Sequence, residues 1–384
     1  MAIDHPSDAL PPGYRLGGYE ILRVLGRGGF GVTYQARRQG LAGEMVAIKE
    51  LYPDGLVRRK PGMAVESLPG THPSHIADSI EMFLREARLI CALNHPNIVH
   101  GVEAFHDNGT GYLVMRYVSG KNLRDSLRDP AGFRPGPASL PALLGPLLDG
   151  LETLHRHDLL HCDIKPDNIF LGVGFEPILI DLGSARWHVP GVGTEEASTY
   201  SHYFSAIEQM SDRFGPIGPW TDIYQLSAVL YRCITGGKLP DSVDRAEERE
   251  DPFVPLREIP EVVAAYPKEL IESIDRGLRL RPDQRPRSIA EWRRPMESIL
   301  AATRPPPAQA KPQAKPQASR PEPLSPRHTG ERLRSDPKQL ASREPAVSKG
   351  PKAGGPDFLL WTAGGLLVII LIIVMALASG SCGR

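Results

Sequence analysis

The sequence predicts an α+β fold, in which a small strand-rich part precedes a larger and mostly helical part. Short apolar, β-branched runs alternate with glycines over residues 19–50, a pattern typical of strands and tight turns. Apolar residues at helical spacing follow over residues 76–93 and indicate the first helix. A leucine-rich helix is predicted over residues 139–157, where Pro146 should kink the helix or mark its true start.

The composition is that of a globular protein and excludes several classes of function. Of 384 residues, 41% are hydrophobic and 23% are charged, and 45 basic residues balance 45 acidic ones. A neutral chain gives no reason to expect a nucleic-acid partner. The cysteines are far apart and form no CxxC pair, which indicates a reducing compartment and argues against disulfides or structural zinc. The four cysteines are Cys91, Cys162, Cys233 and Cys382.

A glycine-rich stretch, GRGGFG at residues 26–31, lies between two predicted strands. Glycines lack a Cβ atom, so their backbone N–H groups can approach a polyphosphate closely. The pattern also occurs in dinucleotide-binding folds, but those need a helix after the glycines, and VTYQARR is predicted to be a strand. Lys49 ends the next strand, where its side chain can lie under the loop. Glu86, beside the apolar face of the first helix, can pair with Lys49; the alternative is an ordinary surface i,i+4 pair.

The segment HCDIKPDNIF, residues 161–170, concentrates polar side chains between two apolar stretches. The strand-like run EPILIDLG follows and contains Asp181 near its end. Asp163 and Asn168 on one loop, and Asp181 on the next, can therefore converge on a metal–phosphate group. Mg²⁺ prefers such carboxylate and amide oxygens, with substrate phosphates as its other ligands.

These motifs, in this order, resemble the eukaryotic-like (Hanks-type) serine/threonine protein kinases, over roughly residues 19–300. Stretches such as IKELYP, SAIEQM and GPWTDIYQLSAVLY look similar to bacterial members, many of which are membrane-tethered. The resemblance implies a two-lobed fold with a small β-rich N-lobe, residues 19–115, and a large helical C-lobe, residues 119–302. Residues 1–18 would form an N-terminal extension.

The resemblance also implies an activity, namely transfer of the ATP γ-phosphate to Ser/Thr hydroxyls of proteins, including the chain itself. ATP and Mg²⁺ would be required, with Mn²⁺ as an alternative metal. Asp163 would orient the attacking hydroxyl and accept its proton, and Lys165 would steady the γ-phosphate. The implied catalytic residues are Asp163, Lys165, Lys49 and Glu86, and the implied metal ligands are Asn168 and Asp181. The implied ATP-binding residues are Gly26, Arg27, Gly28, Gly29, Phe30, Gly31, Val32, Ala47, Lys49, Met115 and Val118.

Further positions would support or regulate this site. Glu208 is expected to pair with Arg285, and Asp222 resembles the buried aspartate that binds the catalytic-loop backbone. Hydroxyls that could be autophosphorylated lie between Asp181 and Glu208, although the sequence selects none of them. The candidates are Thr194, Ser198, Thr199 and Ser201.

Two of the departures from the family pattern bear on regulation and architecture. Cys162 takes the place of an arginine that usually meets a phosphate on the activation segment, which suggests activity less dependent on phosphorylation there. The connection of residues 50–85, between Lys49 and Glu86, is longer than usual, and the sequence offers no mechanistic reason for it.

Two alternative functions remain open at this stage. A kinase-fold pseudoenzyme would bind ATP as a signalling scaffold, but its usual signature is loss of the metal aspartate, the strand lysine or the catalytic aspartate. A small-molecule phosphotransferase on a related fold would lack the Glu208–Arg285 pair and the activation segment.

The C-terminal part predicts a linker and a membrane anchor. Residues 303–357 hold 12 prolines and 11 Lys/Arg against 5 Asp/Glu, a composition typical of a disordered basic linker. Residues 358–378 contain no charge and are long enough, as a helix, to cross a hydrocarbon core of ~30 Å. We expect a single-pass protein of the inner cell membrane with a cytoplasmic kinase domain and a short tail, residues 379–384. Gly364-Gly365 would permit close contact between two such helices in a homodimer, although the run contains no GxxxG motif.

Overall fold

The computed structural model of the chain describes residues 8–40, 43–129, 132–133, 135–182 and 203–303. The candidate phosphorylation residues Thr194, Ser198, Thr199 and Ser201 lie outside these ranges, as do residues 304–357 of the predicted linker and the predicted anchor 358–378. Within the described ranges, no helix is both long enough and apolar enough to cross a membrane.

The N-lobe is built on one antiparallel sheet of six strands, in the order β1-β2-β3-β4-β8-β7. The strands predicted around the glycine-rich stretch and at Lys49 are confirmed as β2, β3 and β4. A separate two-stranded hairpin, β5-β6, occupies the long connection after Lys49. The strands are β1 (Arg15–Leu16), β2 (Tyr19–Gly28), β3 (Gly31–Arg38), β4 (Met45–Leu51), β5 (Val57–Arg59), β6 (Val65–Ser67), β7 (Gly101–Asp107) and β8 (Thr110–Arg116).

The predicted first helix is confirmed as α1 (Pro73–Ala92), which begins at the N-cap residue His72. Proline suits the first turn of a helix, where an N–H has no intrahelical partner. The apolar face of α1, including Phe83 and Ala87, packs against Leu113 and Met115 of β8. This packing fixes the position of Glu86 beside the sheet.

Residues assigned from the sequence to an N-terminal extension belong to the core of the N-lobe. Ala9 and Leu10 are buried together with Leu16 of β1 among the side chains of the sheet. The backbone N–H of Leu10 also donates to the Tyr34 hydroxyl at 3.1 Å. The segment from residue 9 onward is therefore part of the lobe.

The C-lobe is mostly helical, as predicted, and its core is formed largely by leucines of α3 and by α5. Pro146 lies inside α3, so the alternative in which it marks the helix start is wrong, while the other alternative, a kink, stays a prediction. The helix begins earlier, at Leu140, and Pro141 occupies its first turn. Only the hydrogen bond that the N–H of residue 146 would donate is lost, and the buried leucine face outweighs that loss. The helices are α2 (Leu123–Arg128), α3 (Leu140–Arg156), α4 (Ile207–Met210), α5 (Pro219–Thr235), α6 (Ser242–Glu247), α7 (Pro260–Ala265), α8 (Lys268–Gly277), α9 (Ile289–Arg293) and α10 (Glu297–Thr303).

A small three-stranded sheet presents the catalytic stretch at the top of the C-lobe. It comprises β9 (Lys121–Asn122), β10 (Ile169–Leu171) and β11 (Pro177–Leu179), in the order β11-β10-β9. Because β10 and β11 are antiparallel neighbours, Asn168 before β10 and Asp181 after β11 meet at the same edge. The Ile180 N–H donates to the Asn168 carbonyl at 3.0 Å and fixes this relationship.

Candidate active site

The Asp163 carboxylate is held by two side chains of its own loop. Lys165 Nζ lies 3.0 Å from Asp163 Oδ1. Asn168 Nδ2 donates to Asp163 Oδ2 at 2.7 Å and to the Asp163 carbonyl at 2.8 Å. A carboxylate with two fixed donors keeps one orientation, which is what a proton acceptor aimed at a bound hydroxyl requires.

The backbone just before Asp163 is fixed by Asp222 of α5. Its carboxylate accepts hydrogen bonds from the His161 N–H at 3.0 Å and from the Cys162 N–H at 2.7 Å. His155 Nε2 also lies 2.7 Å from Asp222 Oδ2. Burial acts to raise the pKa of the Asp222 carboxyl, but the hydrogen bond and charge of His155 outweigh it and hold the pKa below its usual value.

Gln225, three residues after Asp222 on the same helix, holds the next two peptide groups. Its Oε1 accepts from the Ile164 N–H at 2.9 Å, and its Nε2 donates to the Cys162 carbonyl at 3.0 Å. Gln209 of α4 donates to the same carbonyl at 2.8 Å. These bonds hold Cys162 in a left-handed conformation, at φ 58°, that non-glycine residues seldom adopt.

Lys49 and Asp181 meet across the two lobes. Lys49 Nζ lies 3.2 Å from Asp181 Oδ1. The positive charge of Lys49 lowers the pKa of the Asp181 carboxyl below its ordinary value, so Asp181 is ionised at neutral pH. Asp181 adopts a left-handed backbone, φ 59°, which re-aims the chain directly after β11.

A small cavity lies behind this ion pair. Lys49 and Glu86 both line it, together with the apolar side chains of Phe30, Leu113 and Leu182. Glu86 is buried. The predicted ion pair between Glu86 and Lys49 is not formed: among the described residues, Lys49 pairs with Asp181, and Glu86 lines the same cavity.

The predicted nucleotide residues lie on β2, β3, β4 and β8 of the N-lobe sheet or directly beside these strands. Gly26, Arg27 and Gly28 end β2, and Gly31 and Val32 begin β3, with Gly28 paired to Gly31. A Cβ atom at Gly31 would collide with the Glu50 carbonyl, so this position requires glycine. In the adjoining strands Ala47 is paired with Met115, while Val118 follows β8 and is half-buried.

The donor set at the loop edge fits a magnesium ion. Asn168 offers an amide oxygen, since its Nδ2 is used by Asp163, and Asp181 offers a carboxylate. Two oxygen ligands from protein, completed by phosphates and water, are typical of Mg²⁺ sites in phosphotransferases. In the part of the chain that the structure describes, no group of three or more His, Cys, Asp or Glu residues could hold a metal by itself.

Below the site, Glu208 and Arg285 form the ion pair expected from the sequence. Arg285 Nη1 donates to Glu208 Oε1 at 2.7 Å, and both side chains are fully buried. The Thr221 hydroxyl donates to the same oxygen at 2.7 Å.

Sequence reasoning missed Gln209 and Gln225, which hold the catalytic loop, and His155, which contacts Asp222. For Gln225 a signal existed, because residues i and i+3 of a helix share a face, and Asp222 was already expected to bind this loop. Gln209 and His155 are brought to the loop only by the tertiary fold.

Comparison with known proteins identifies relatives of this chain. The family model described as protein kinase domain matches residues 19–291. Serine/threonine-protein kinase pkn2 of Myxococcus xanthus is 32% identical over 232 residues, which cover 58% of this chain and 25% of that protein. Serine/threonine-protein kinase PknB of Mycolicibacterium smegmatis is 29% identical over 290 residues, 72% of this chain and 42% of that protein. The chain thus spans less than half the length of these relatives.

Among solved structures, the apo form of PpkA-294 matches with a TM-score of 0.64 and 34% sequence identity. The match covers 76% of this chain and 100% of that one.

Proposed function

Because the chain belongs to the protein kinase family, we propose that it is an active serine/threonine kinase that phosphorylates proteins with ATP. The observation that carries this proposal is the fixed Asp163 carboxylate, with Lys165 at 3.0 Å and Asn168 at 2.7 Å. The names of the relatives, both serine/threonine-protein kinases, support the same substrate class.

In the proposed reaction, a Ser or Thr hydroxyl oxygen attacks the γ-phosphorus of ATP. Its bond to phosphorus forms as the bond between the γ-phosphorus and the β,γ-bridging oxygen breaks, which releases ADP. Asp163 accepts the hydroxyl proton, and Lys165 stabilises the negative charge of the transferring group. Lys49 binds the α- and β-phosphates. Asn168 and Asp181 would hold Mg²⁺, which would supply neutralisation of the phosphate charge.

The proposal is tested by the amino acid that receives the phosphate. The full chain is incubated with γ-labelled ATP, Mg²⁺ and a generic basic protein, and the labelled residues of both proteins are identified. Phosphoserine and phosphothreonine without phosphotyrosine are expected. No label in either protein, with ATP still raising the melting temperature, would favour the ATP-binding pseudoenzyme instead.

We further propose that residues 358–378 anchor the chain in the inner cell membrane, with the kinase domain in the cytoplasm. The support is the run of 21 uncharged residues after a basic, proline-rich segment. In bacterial cells the full chain is expected in the membrane fraction after a high-pH wash. Two arginines at the centre of the run, Leu367→Arg with Ile370→Arg, cost about 3 kcal/mol each and should release it. Release of the wild-type chain from the membrane fraction by the high-pH wash would refute the anchor.

A further inference from the structure

The long connection after Lys49 is docked onto the N-lobe by a buried ion pair. Arg59 of β5 lies 2.6 Å from Glu50, the residue next to Lys49, and both side chains are buried. Glu50 also accepts hydrogen bonds from the Tyr34 and Tyr112 hydroxyls, each at 2.6 Å. A buried carboxylate with three donors is fully satisfied, so the hairpin β5-β6 has a fixed place on the sheet.

The same hairpin fixes the N-terminal segment. Arg59 Nε donates to the backbone carbonyl of Asp8, and its guanidinium lies 5.1 Å from the centre of the Tyr52 ring. Tyr52 is buried, and the guanidinium of Arg27 lies 5.5 Å from the same ring. Two arginines therefore share one aromatic ring, one from the hairpin and one from the glycine-rich stretch.

Arg27, between two of the glycines, is held by one carboxylate from the N-terminal segment and one from the connection after Lys49. Its Nη1 and Nη2 donate to Asp8 at 2.7 and 2.9 Å, and Nη2 also donates to Asp54 at 2.6 Å. The hydrogen bonds and charge of Arg27 lower the pKa of the Asp8 carboxyl, as expected for a bidentate pair. The guanidinium of Arg27 is therefore already paired with carboxylates of the N-terminal segment and of the connection after Lys49.

The turn of the glycine-rich stretch is tied to the same place by its backbone. The Tyr52 N–H donates to the Phe30 carbonyl at 2.9 Å, and the Asp54 N–H donates to the Gly29 carbonyl at 2.8 Å. Main-chain and side-chain contacts of Asp54 thus both hold the turn that would cover the phosphates.

We propose that Asp8 and Asp54 are positioning residues for ATP, which act through Arg27 to hold the glycine-rich stretch in place before nucleotide binds, while Arg59 fixes the backbone of Asp8. This rests on the proposed kinase function. A glycine-rich turn without this attachment would sample many conformations and lose that freedom on binding phosphates. The attachment removes part of that cost in advance, so its effect falls on nucleotide affinity more than on the chemical step.

The test compares carboxylate variants of the full chain with a matched control. Asp8→Ala and Asp54→Ala each remove one partner of Arg27. Glu66→Ala is the control, because Glu66 pairs with Arg58 and Lys60 on the outer strand of the same hairpin. Each is made alone and in an Arg27→Ala background. Hydrogen exchange of the amides of residues 26–31 is measured without nucleotide, and the Kd is measured for a non-hydrolysable ATP analogue with Mg²⁺.

Asp8→Ala and Asp54→Ala are each expected to raise amide exchange several-fold and the analogue Kd by about threefold to tenfold, while kcat stays within about twofold. Neither should have a further effect in the Arg27→Ala background. Exchange and Kd equal to those of Glu66→Ala would overturn the proposal, as would effects that add to Arg27→Ala. Neither readout requires phosphate transfer, so failure of the kinase function would be seen separately.

Discussion

Arg285 Nη1 lies 2.7 Å from Glu208 Oε1, although 77 positions separate the two residues in the sequence. The pair joins α4, which follows the activation segment, to the loop before α9. Arg285 also donates to the carbonyls of Arg279 and Leu280, so its charge is fully engaged.

Breaking this pair should strongly destabilise the protein. Glu208→Gln leaves a buried guanidinium without its counter-charge, and we expect the free energy of unfolding to fall on the order of 3 kcal/mol. Urea unfolding measures it. The matched control is Asp283→Asn, since Asp283 pairs with Arg281 on the surface at 3.4 Å and should contribute less than ~0.5 kcal/mol. Equal effects of the two variants would contradict the assignment.

Gln225 should affect turnover rather than nucleotide binding. Gln225→Ala removes the donor to the Cys162 carbonyl and the acceptor for the Ile164 N–H, the peptide groups that flank Asp163. We expect kcat to fall by about tenfold, because a small displacement of Asp163 misplaces the proton acceptor. Gln209→Ala removes one bond to the same carbonyl and should have a smaller effect. An unchanged kcat in both variants would show that these bonds do not position Asp163.

His161 should make stability depend on pH. Burial lowers the pKa of His161 below its ordinary value of 6.5, so the unfolded chain binds a proton that the folded chain excludes. The free energy of unfolding should therefore be insensitive to this group above about pH 7.5 and fall as the pH drops below about 6.5, by at most ~1.4 kcal/mol per pH unit. In His161→Phe this contribution disappears. The stability difference between variant and wild type should shift in favour of the variant from pH 8 to pH 5.5, and a constant difference would contradict the prediction.

Removal of the metal should greatly reduce the stabilisation that ATP provides. At a nucleotide concentration about 100 times Kd, ATP with Mg²⁺ should add ~2.7 kcal/mol to the stability of the full chain. EDTA should remove most of this gain, since Asn168 and Asp181 are proposed to hold the phosphates through the metal. Asp181→Asn should show the same loss in the presence of Mg²⁺. The control is Asp167→Asn, because Asp167 lies on the same loop as Asn168 but pairs with Arg124. This variant should keep the stabilisation by ATP and Mg²⁺. A loss of stabilisation equal to that of Asp181→Asn would contradict the assigned ligands.

Much of the fold could be predicted because its motifs carry local physical signals. Glycines at residues 26–31, the strand that carries Lys49 and the apolar face of α1 each reflect a backbone or periodicity requirement that a short stretch of sequence displays. The predicted Glu208–Arg285 pair depended on the family resemblance, since no local pattern joins residues so far apart.

The attachment of Arg27 could not be predicted in the same way. Asp8, Asp54 and Arg59 lie in segments without a repeating pattern, and each looks like an ordinary surface charge. Only the docking of β5-β6 on Glu50 brings them together. The position of Pro146 inside α3 likewise depends on tertiary packing, because the buried leucines of α3 override a local helix-breaking signal.

The most direct test of the central claim is transfer of labelled γ-phosphate in a single turnover, with the full chain in excess over ATP and Mg²⁺ present. Wild type is compared with Asp163→Asn and with the control Asp158→Asn. Asp158 is an exposed residue five positions earlier, and asparagine tolerates its left-handed backbone, φ 57°. We predict that Asp163→Asn lowers the transfer rate by at least about a hundredfold without weakening nucleotide binding, while Asp158→Asn transfers at the wild-type rate. Equal transfer by Asp163→Asn and wild type would contradict the assignment of Asp163 as the proton acceptor.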